Sequence, residues 1–391
     1  MVRYPNSHQP KVLILYASYG EGHLQAAKAI RDALEEQGND RTVMVDLMAE
    51  SHPWLNEMTR RVYLKSYTHI PYLYGWVYDV TRPMKHNSLF GGFLHSFGRD
   101  KIRKLLQKEQ PDAVIHTFPF FALPSLHHRK LKKNMNIPTY TVITDFDLHR
   151  RWVHPGIGRY FVATDDLKQE LGSLGIHPGR VSVSGIPLGR GFRGTLSPTF
   201  ELYEKYGLRA DQPVILMMPG AQGVMPDSGE LCSHLLEQLP NTQIALVCGR
   251  NNVLKSSMES QMGHDKRLHV FGFVNEVHEL MALSTCLVSK PGGVTLAEAI
   301  YAGLPLFLYR PVPGQEKKNA LYLQSKGAAS IAYDPEELAA AITGLVTNPE
   351  QLQRSQMAVQ RLQTKEAAAD NIAHHILQEY DWNTKFGQRY S

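Results

Sequence analysis

The segment from Cys286 to Asn319, CLVSKPGGVTLAEAIYAGLPLFLYRPVPGQEKKN, restricts the possible folds more than any other part of the chain. A short apolar run, Leu287-Val288, breaks at Pro291-Gly292-Gly293 and resumes at helical spacing through Leu296, Ala297, Ala299 and Ile300. Gly303 closes that helix, and a second apolar run extends from Leu304 to Tyr309. Strand, glycine turn, helix and strand form the repeat of a parallel sheet covered on both faces. The helix start offers backbone N–H groups at the positive end of a dipole, which suits a diphosphate. Glu298, on the helix's second turn, is placed to accept both hydroxyls of a ribose lying beyond those phosphates. The polar turn Pro313-Gly314-Gln315-Glu316, at the end of the next strand, is suited to gripping a sugar. A lone Gly-Gly turn is usually an ordinary αβ connection. The succession of phosphate turn, carboxylate, then amide and carboxylate points instead to a ligand site.

The same repeat recurs along the chain. Lys11 to Tyr16 (KVLILY) is followed by Gly20-Glu21-Gly22-His23 and then by Ala26, Ala27, Ile30, Ala33 and Leu34 at helical spacing. Val214 to Met218 is followed by Pro219-Gly220-Ala221-Gln222-Gly223, Ile244 to Cys248 by Gly249-Arg250-Asn251, and Leu268 to Phe271 by Gly272-Phe273-Val274-Asn275. Further strands are expected at Thr42–Val45, Ala113–His116, Thr139–Ile143, Tyr160–Ala163 and Val181–Val183, with a helix at Asp165–Leu174. With 391 residues the chain accommodates two domains. The Gly- and Pro-rich stretch Ser184 to Phe192 is suited to the crossing between them. The expected class is α/β with two doubly wound halves: residues 1–186, residues 187–370, and an aromatic tail, 371–391, able to cross back to the first.

The first glycine loop is not G-x-G-x-x-G, and Asp46 after the second strand is too weak a ribose signal to support a dinucleotide site. His23 begins a helix, where the dipole opposes a second positive charge and keeps the imidazole neutral. Such a group can take a proton from a hydroxyl, or it can serve simply as a cap. Thr144-Asp145-Phe146-Asp147-Leu148-His149 ends another strand, in the edge position where ligands of open parallel sheets collect. Its Asp-x-Asp pattern could hold a metal, but a metal role is not the favoured reading of this pair. No metal or other cofactor is expected to be essential.

The PGGVTLAEA and PGQE segments resemble the donor site of glycosyltransferase family 28, in the branch of monogalactosyldiacylglycerol synthases and processive diacylglycerol glucosyltransferases. That resemblance extends over nearly the whole chain and implies the GT-B fold, two Rossmann-like domains facing a central cleft. It places Gly292, Gly293 and Thr295 beside a diphosphate, Glu298 on the ribose, and Gln315, Glu316 and Asn319 on the hexose of a UDP-sugar co-substrate. It also implies that Phe273 and Val274 border the uracil, that Gly220 and Gly223 belong to the donor site, and that Arg190 contacts phosphate. In the amino-terminal half it identifies Gly20 and Gly22 as an acceptor loop, with His23 or Asp145 as the catalytic base. The implied activity is inverting transfer of a hexose, with glucose favoured over galactose, to a diacylglycerol-type lipid. A soluble UDP-sugar epimerase and a non-catalytic nucleotide-sugar sensor are the alternatives on the same fold.

Residues 51–110 carry ten Lys and Arg against four acidic residues, a net +6, interleaved with Trp, Tyr and Phe. Aromatic rings and cations side by side suit the interface of an anionic bilayer. Arg60, Arg61, Phe90, Phe93, Lys101, Arg103 and Lys104 are the expected membrane-facing residues, and the rival reading makes the aromatics plain core. The resemblance, which places the lipid acceptor in this region, favours the bilayer. His127 to Lys133 (HHRKLKK) is a second basic cluster of the same kind. No RNA- or DNA-binding pattern accompanies the charge, so nucleic acid is not an expected partner. Three widely spaced cysteines, Cys232, Cys248 and Cys286, read as buried thiols of a reducing compartment. The polar start, MVRYPNSHQPK, and the absence of a long uncharged apolar run predict a cytoplasmic protein, peripheral on the inner face of the cell membrane.

Overall fold

The structure of the protein, a computed structural model, describes residues 9–17, 21–47, 71–83, 99–119, 137–154, 156–220, 223, 225–364 and 366–386. The chain divides into two compact units, one of Met1–Arg190, Pro313–Gln315 and Thr364–Ser391, the other of Gly191–Val312 and Glu316–Gln363.

The first unit is built on strands β1 (Val12–Tyr16), β2 (Thr42–Asp46), β3 (Ala113–His116), β4 (Thr139–Val142), β5 (Arg159–Val162) and β6 (Val181–Val183). They form a parallel sheet in the order β2-β1-β3-β4-β5-β6. β3 and β4 are buried along their whole length, as a strand covered on both faces must be. The order reverses direction between β1 and β3, and at such a switch point the connections diverge and leave a crevice at the strands' carboxyl ends. Helix Glu21–Glu36 covers the sheet with Ala26, Ala27, Ile30, Ala33 and Leu34, a stripe at the 3.6-residue period. The last helix, Ala368–Phe386, adds Ala369, Ile372, Ala373, Ile376 and Leu377 to the same core as Ile30, Leu34, Ile115, Tyr140 and Phe161. Gln37 Nε2 also donates to the Asp370 carbonyl at 2.9 Å.

The second unit contains β7 (Val214–Met218), β8 (Gln243–Val247), β9 (Leu268–Phe271), β10 (Cys286–Ser289), β11 (Leu306–Tyr309) and β12 (Ala329–Ala332). Its parallel order, β12-β11-β10-β7-β8-β9, has its switch point between β7 and β10. β11 starts later than its apolar run because Leu304 N–H closes the preceding helix on the Ala299 carbonyl at 2.9 Å, and Pro305 has no N–H to give. Gly303, at φ 72°, makes that closure possible. Cys232, Cys248 and Cys286 are free and buried.

Both units are α/β and doubly wound, the class expected from the sequence. The unit boundaries fall at Arg190 and Thr364 where 186 and 370 were expected. Arg190 stays with the first unit because its guanidinium lies 2.6 Å from Glu36 and 3.7 Å from both Asp32 and Glu35, all on one helix. Gln363 stays with the second because its amide donates to the carbonyls of Ile300 and Tyr301.

Arg60, Arg61, Phe90, Phe93, the 127–133 cluster and Gly20 lie outside the described residues. Of the basic and aromatic region, helices Pro71–Thr81 and Arg99–Glu109 are described. The second buries Ile102, Leu105 and Leu106 and exposes Lys101, Arg103 and Lys104. Tyr78 is buried while Trp76 is 64% exposed, so the aromatics are split between core and surface. Among the described residues, no helix is long and apolar enough to cross a membrane.

Candidate functional site

In the second unit the site grows from the carboxyl ends of β7 and β10. Ser289 Oγ donates to the Met218 carbonyl at 2.7 Å and ties the two strand ends together. Helix Gly293–Tyr301 then starts from Gly292 with no side chain capping it. Gly292 has an ordinary φ of −72°, and a Cβ built there would meet nothing within 4 Å. Neither backbone strain nor a clash within the protein demands glycine here, and the space beside the turn is open. An uncapped helix start facing open space can take the oxygens of a diphosphate. Thr295 is half-buried in the first turn. Glu298 is half-buried as a residue, yet its carboxyl lies deep among protein atoms, and that burial pushes its pKa up to about 8.

The loop after β7 is shaped by close approach. Gly220 and Gly223 have φ of 82° and 60°, and a Cβ on Gly223 would lie 2.2 Å from the Cys248 carbonyl oxygen. Asn251 Nδ2 donates to the Gly223 carbonyl at 2.8 Å, linking this loop to the one after β8. At the end of β9, the Phe273 ring is 49% exposed with the Arg250 guanidinium 5.0 Å above it, and Val274 is half-buried beside it. An exposed aromatic face at a sheet's carboxyl edge suits a nucleobase.

Asn319, expected on the hexose, is fully buried and donates to the Pro291 carbonyl at 3.1 Å. That bond ties helix Gln315–Ser325 to the glycine turn. Glu316, expected on the hexose, receives the Val312 N–H at 3.3 Å. Lys290, which the sequence reading passed over, precedes the glycine turn; burial lowers its pKa and the nearby Glu316 opposes that shift. A lysine directly before Pro-Gly-Gly was the available signal. Arg190, expected at phosphate, is occupied by the three carboxylates of helix Glu21–Glu36.

In the first unit, His23 and Asp145 come together at the carboxyl ends of β1, β3 and β4. His23 is the third residue of helix Glu21–Glu36 and directly follows Gly22, which is half-buried. Its Nδ1 is 3.0 Å from Thr144 Oγ1, and its carbonyl accepts from Thr117 Oγ1 at 3.0 Å. The Phe118 ring stands edge-on at 5.0 Å. Burial lowers the imidazole to about 4, with a hydrogen bond to the Thr117 backbone opposing, so the ring is neutral at pH 7. Asp145 is buried and accepts a hydrogen bond from Gln315 Nε2, which falls in the first unit with Pro313 and Gly314. Gln315, expected on the hexose, therefore stands beside a candidate catalytic carboxylate. Asp147, the other half of Asp-x-Asp, is committed to Arg82 (2.8 and 3.2 Å) and to the Tyr78 hydroxyl (2.9 Å).

Two parallel doubly wound units, each with its candidate residues at a topological switch point, define the GT-B class of sugar-handling proteins. Residues 23–188 match the family model of monogalactosyldiacylglycerol (MGDG) synthase, and residues 228–373 that of the glycosyltransferase family 28 C-terminal domain. The chain is 38% identical over 371 residues to the processive diacylglycerol beta-glucosyltransferases of Bacillus cytotoxicus and Bacillus mycoides, covering 95% of this chain and 94% of each relative. Among solved structures it resembles S. aureus MnaA in complex with UDP (TM-score 0.60, 14% identity, 95% of this chain and 97% of that one). It also resembles MurG of Acinetobacter baumannii (TM-score 0.60, 16% identity, 94% and 99%). The chain belongs to glycosyltransferase family 28, in the branch of monogalactosyldiacylglycerol synthases and processive diacylglycerol glucosyltransferases.

Proposed function

We propose that this chain moves glucose from UDP-glucose to diacylglycerol or a glycosyl-diacylglycerol at the inner face of the cell membrane, with inversion at the anomeric carbon. The observation that carries the donor half is the uncapped helix start at Gly292-Gly293, open on its ligand side, with the Glu298 carboxyl on the same helix. The relatives at 38% identity carry the choice of glucose and of a glycerolipid acceptor. His23 is the base: a neutral imidazole has one nitrogen with a free electron pair, and Thr144 fixes the ring. The acceptor hydroxyl gives its proton to His23 as its oxygen bonds to the anomeric carbon, and the bond from that carbon to UDP breaks. UDP leaves with the electron pair. Its charge falls to the N–H groups after Gly292 and to Lys290, so the reaction is assigned no metal. Asp145 orients Gln315 and contributes negative charge near the reacting centre.

Incubation with labelled UDP-glucose and diacylglycerol tests this reading. Label in a lipid-extractable glucoside is expected. Label in a different UDP-hexose would make the chain an epimerase, and unchanged UDP-glucose would make it a sensor.

The membrane surface is the second part of the proposal, supported by the exposed Lys101, Arg103 and Lys104 of helix Arg99–Glu109. Replacing all three by serine should weaken binding to anionic vesicles about tenfold or more at low salt, with the difference fading at high salt. Equal flotation at low salt would return that face to ordinary solvated surface.

A further inference from the structure

Among the described residues, three other than glycine have positive φ: Gln110 (45°), Asp227 (57°) and Arg310 (46°). Two of these three are joined to each other. Arg310 Nη1 lies 2.7 Å from Asp227 Oδ2, and the Tyr309 hydroxyl donates to the same oxygen at 3.3 Å. Asp227 immediately precedes helix Ser228–Gln238, but its side chain does not cap that helix. Arg310 is held from other sides as well: its N–H donates to the Ala332 carbonyl at 2.9 Å, and its Nε to the Tyr333 carbonyl at 2.6 Å. Its guanidinium also sits 4.9 Å above the Tyr309 ring. Left-handed backbone is unfavourable for any residue with a Cβ, and it persists where the surroundings over-determine it. Here each strained residue is the other's restraint.

The placement of the pair suggests what the strain is for. In the sheet, β10 lies between β7 and β11. Asp227 ends the loop after β7, which carries Gly220 and Gly223, and Arg310 begins the segment after β11 that runs through Val312 to Glu316. The pair therefore joins the two loops that flank the glycine turn after β10. Both side chains are partly exposed, at 40% and 38%, so the pair contributes little as a surface ion bridge, and its value lies in fixing loop spacing.

We infer that Asp227 and Arg310 form a positioning strut that sets the separation of the loops on either side of the diphosphate turn and so tunes affinity for the nucleotide sugar. They act through those loops and do not touch the donor. The inference rests on the donor site proposed above.

A double-mutant cycle tests it, with Asp227→Asn, Arg310→Gln and the pair together. Calorimetric affinity for UDP-glucose and thermal unfolding are both read on the full chain. Each single change is expected to weaken UDP-glucose binding about tenfold, and the double change no further than the worse single. Arg310→Lys, which keeps a cation, should recover part of the loss and remains informative if Arg310→Gln does not fold. Arg310→Gly, which removes the backbone strain, should unfold at a higher temperature than Arg310→Gln yet bind no better. A role in folding alone would move the melting temperatures and leave affinity unchanged, which would overturn the strut. Additive effects would overturn the coupling. Wild-type protein that takes up no UDP-glucose would overturn the donor site and the strut together, whereas wild-type binding with every variant equal to it would overturn the strut alone.

Discussion

Replacing His23 by alanine should lower glucosyl transfer by about two to four orders of magnitude, the usual contribution of a positioned general base, while leaving UDP affinity close to that of the unaltered protein. The two readouts separate because His23 sits at the end of β1 in the first unit, whereas the glycine turn and Glu298 belong to the second. The pH profile provides a second check. A base with an ordinary imidazole pKa loses activity as the pH falls through about 6.5. Burial has lowered His23 to about 4, so its neutral form persists well below pH 6, and the acid limb of kcat/KM should lie near 4. Transfer by the alanine variant within a few-fold of the unaltered protein would move the base to Asp145.

Glu298→Gln should weaken UDP-glucose binding by about tenfold or more and also remove most of its pH dependence between 6 and 8. The carboxyl has an ordinary value of 4.5 and is raised by burial to about 8, so the empty protein holds a proton there at pH 7. A carboxylate accepts ribose hydroxyls better than a neutral acid does, so binding favours loss of that proton. Affinity should accordingly rise with pH up to about 8 and then level off. The same shift affects stability with the opposite sign. The folded chain binds a proton that the unfolded chain has released, so Glu298 stabilises the fold at low pH, and this contribution fades as pH rises through about 8. Glutamine keeps the shape without the proton, and its melting temperature should not fall across that window. Calorimetry at pH 6, 7 and 8 decides the matter. An affinity that is flat with pH in the unaltered protein would take Glu298 off the ribose.

The strands were legible because their signal is local. Val12–Tyr16 and Val214–Met218 are apolar runs that a two-sided parallel sheet demands, and glycines follow both. The glycine turn after β10 was legible because its motif has fixed spacing, with Gly292 and Gly293 at the helix start and Glu298 on the same helix. Side chains whose role depends on distant neighbours were not. Asn319 reads as a polar residue in a ligand turn, and nothing local in the sequence shows that its amide reaches the Pro291 carbonyl. Arg190 reads as a phosphate ligand, and nothing local in the sequence shows its ion pairs with Asp32, Glu35 and Glu36. Arg310 left no trace, since arginine does not advertise left-handed backbone as glycine does, and its restraint by Asp227 comes from a distant loop.

The return of the last helix to the first sheet bears on how the molecule is made. Ala369, Ile372, Ala373, Ile376 and Leu377 complete an interior whose other walls are laid down before residue 165. At about 5–20 residues per second, a ribosome spends on the order of ten seconds or more translating the intervening second unit. During that interval the nascent amino-terminal sheet leaves a greasy seam uncovered, while the second unit has all of its strands in one continuous span and can close first. Folding of this enzyme should therefore run back to front, the earlier half closing only once Ala369 to Leu377 have emerged.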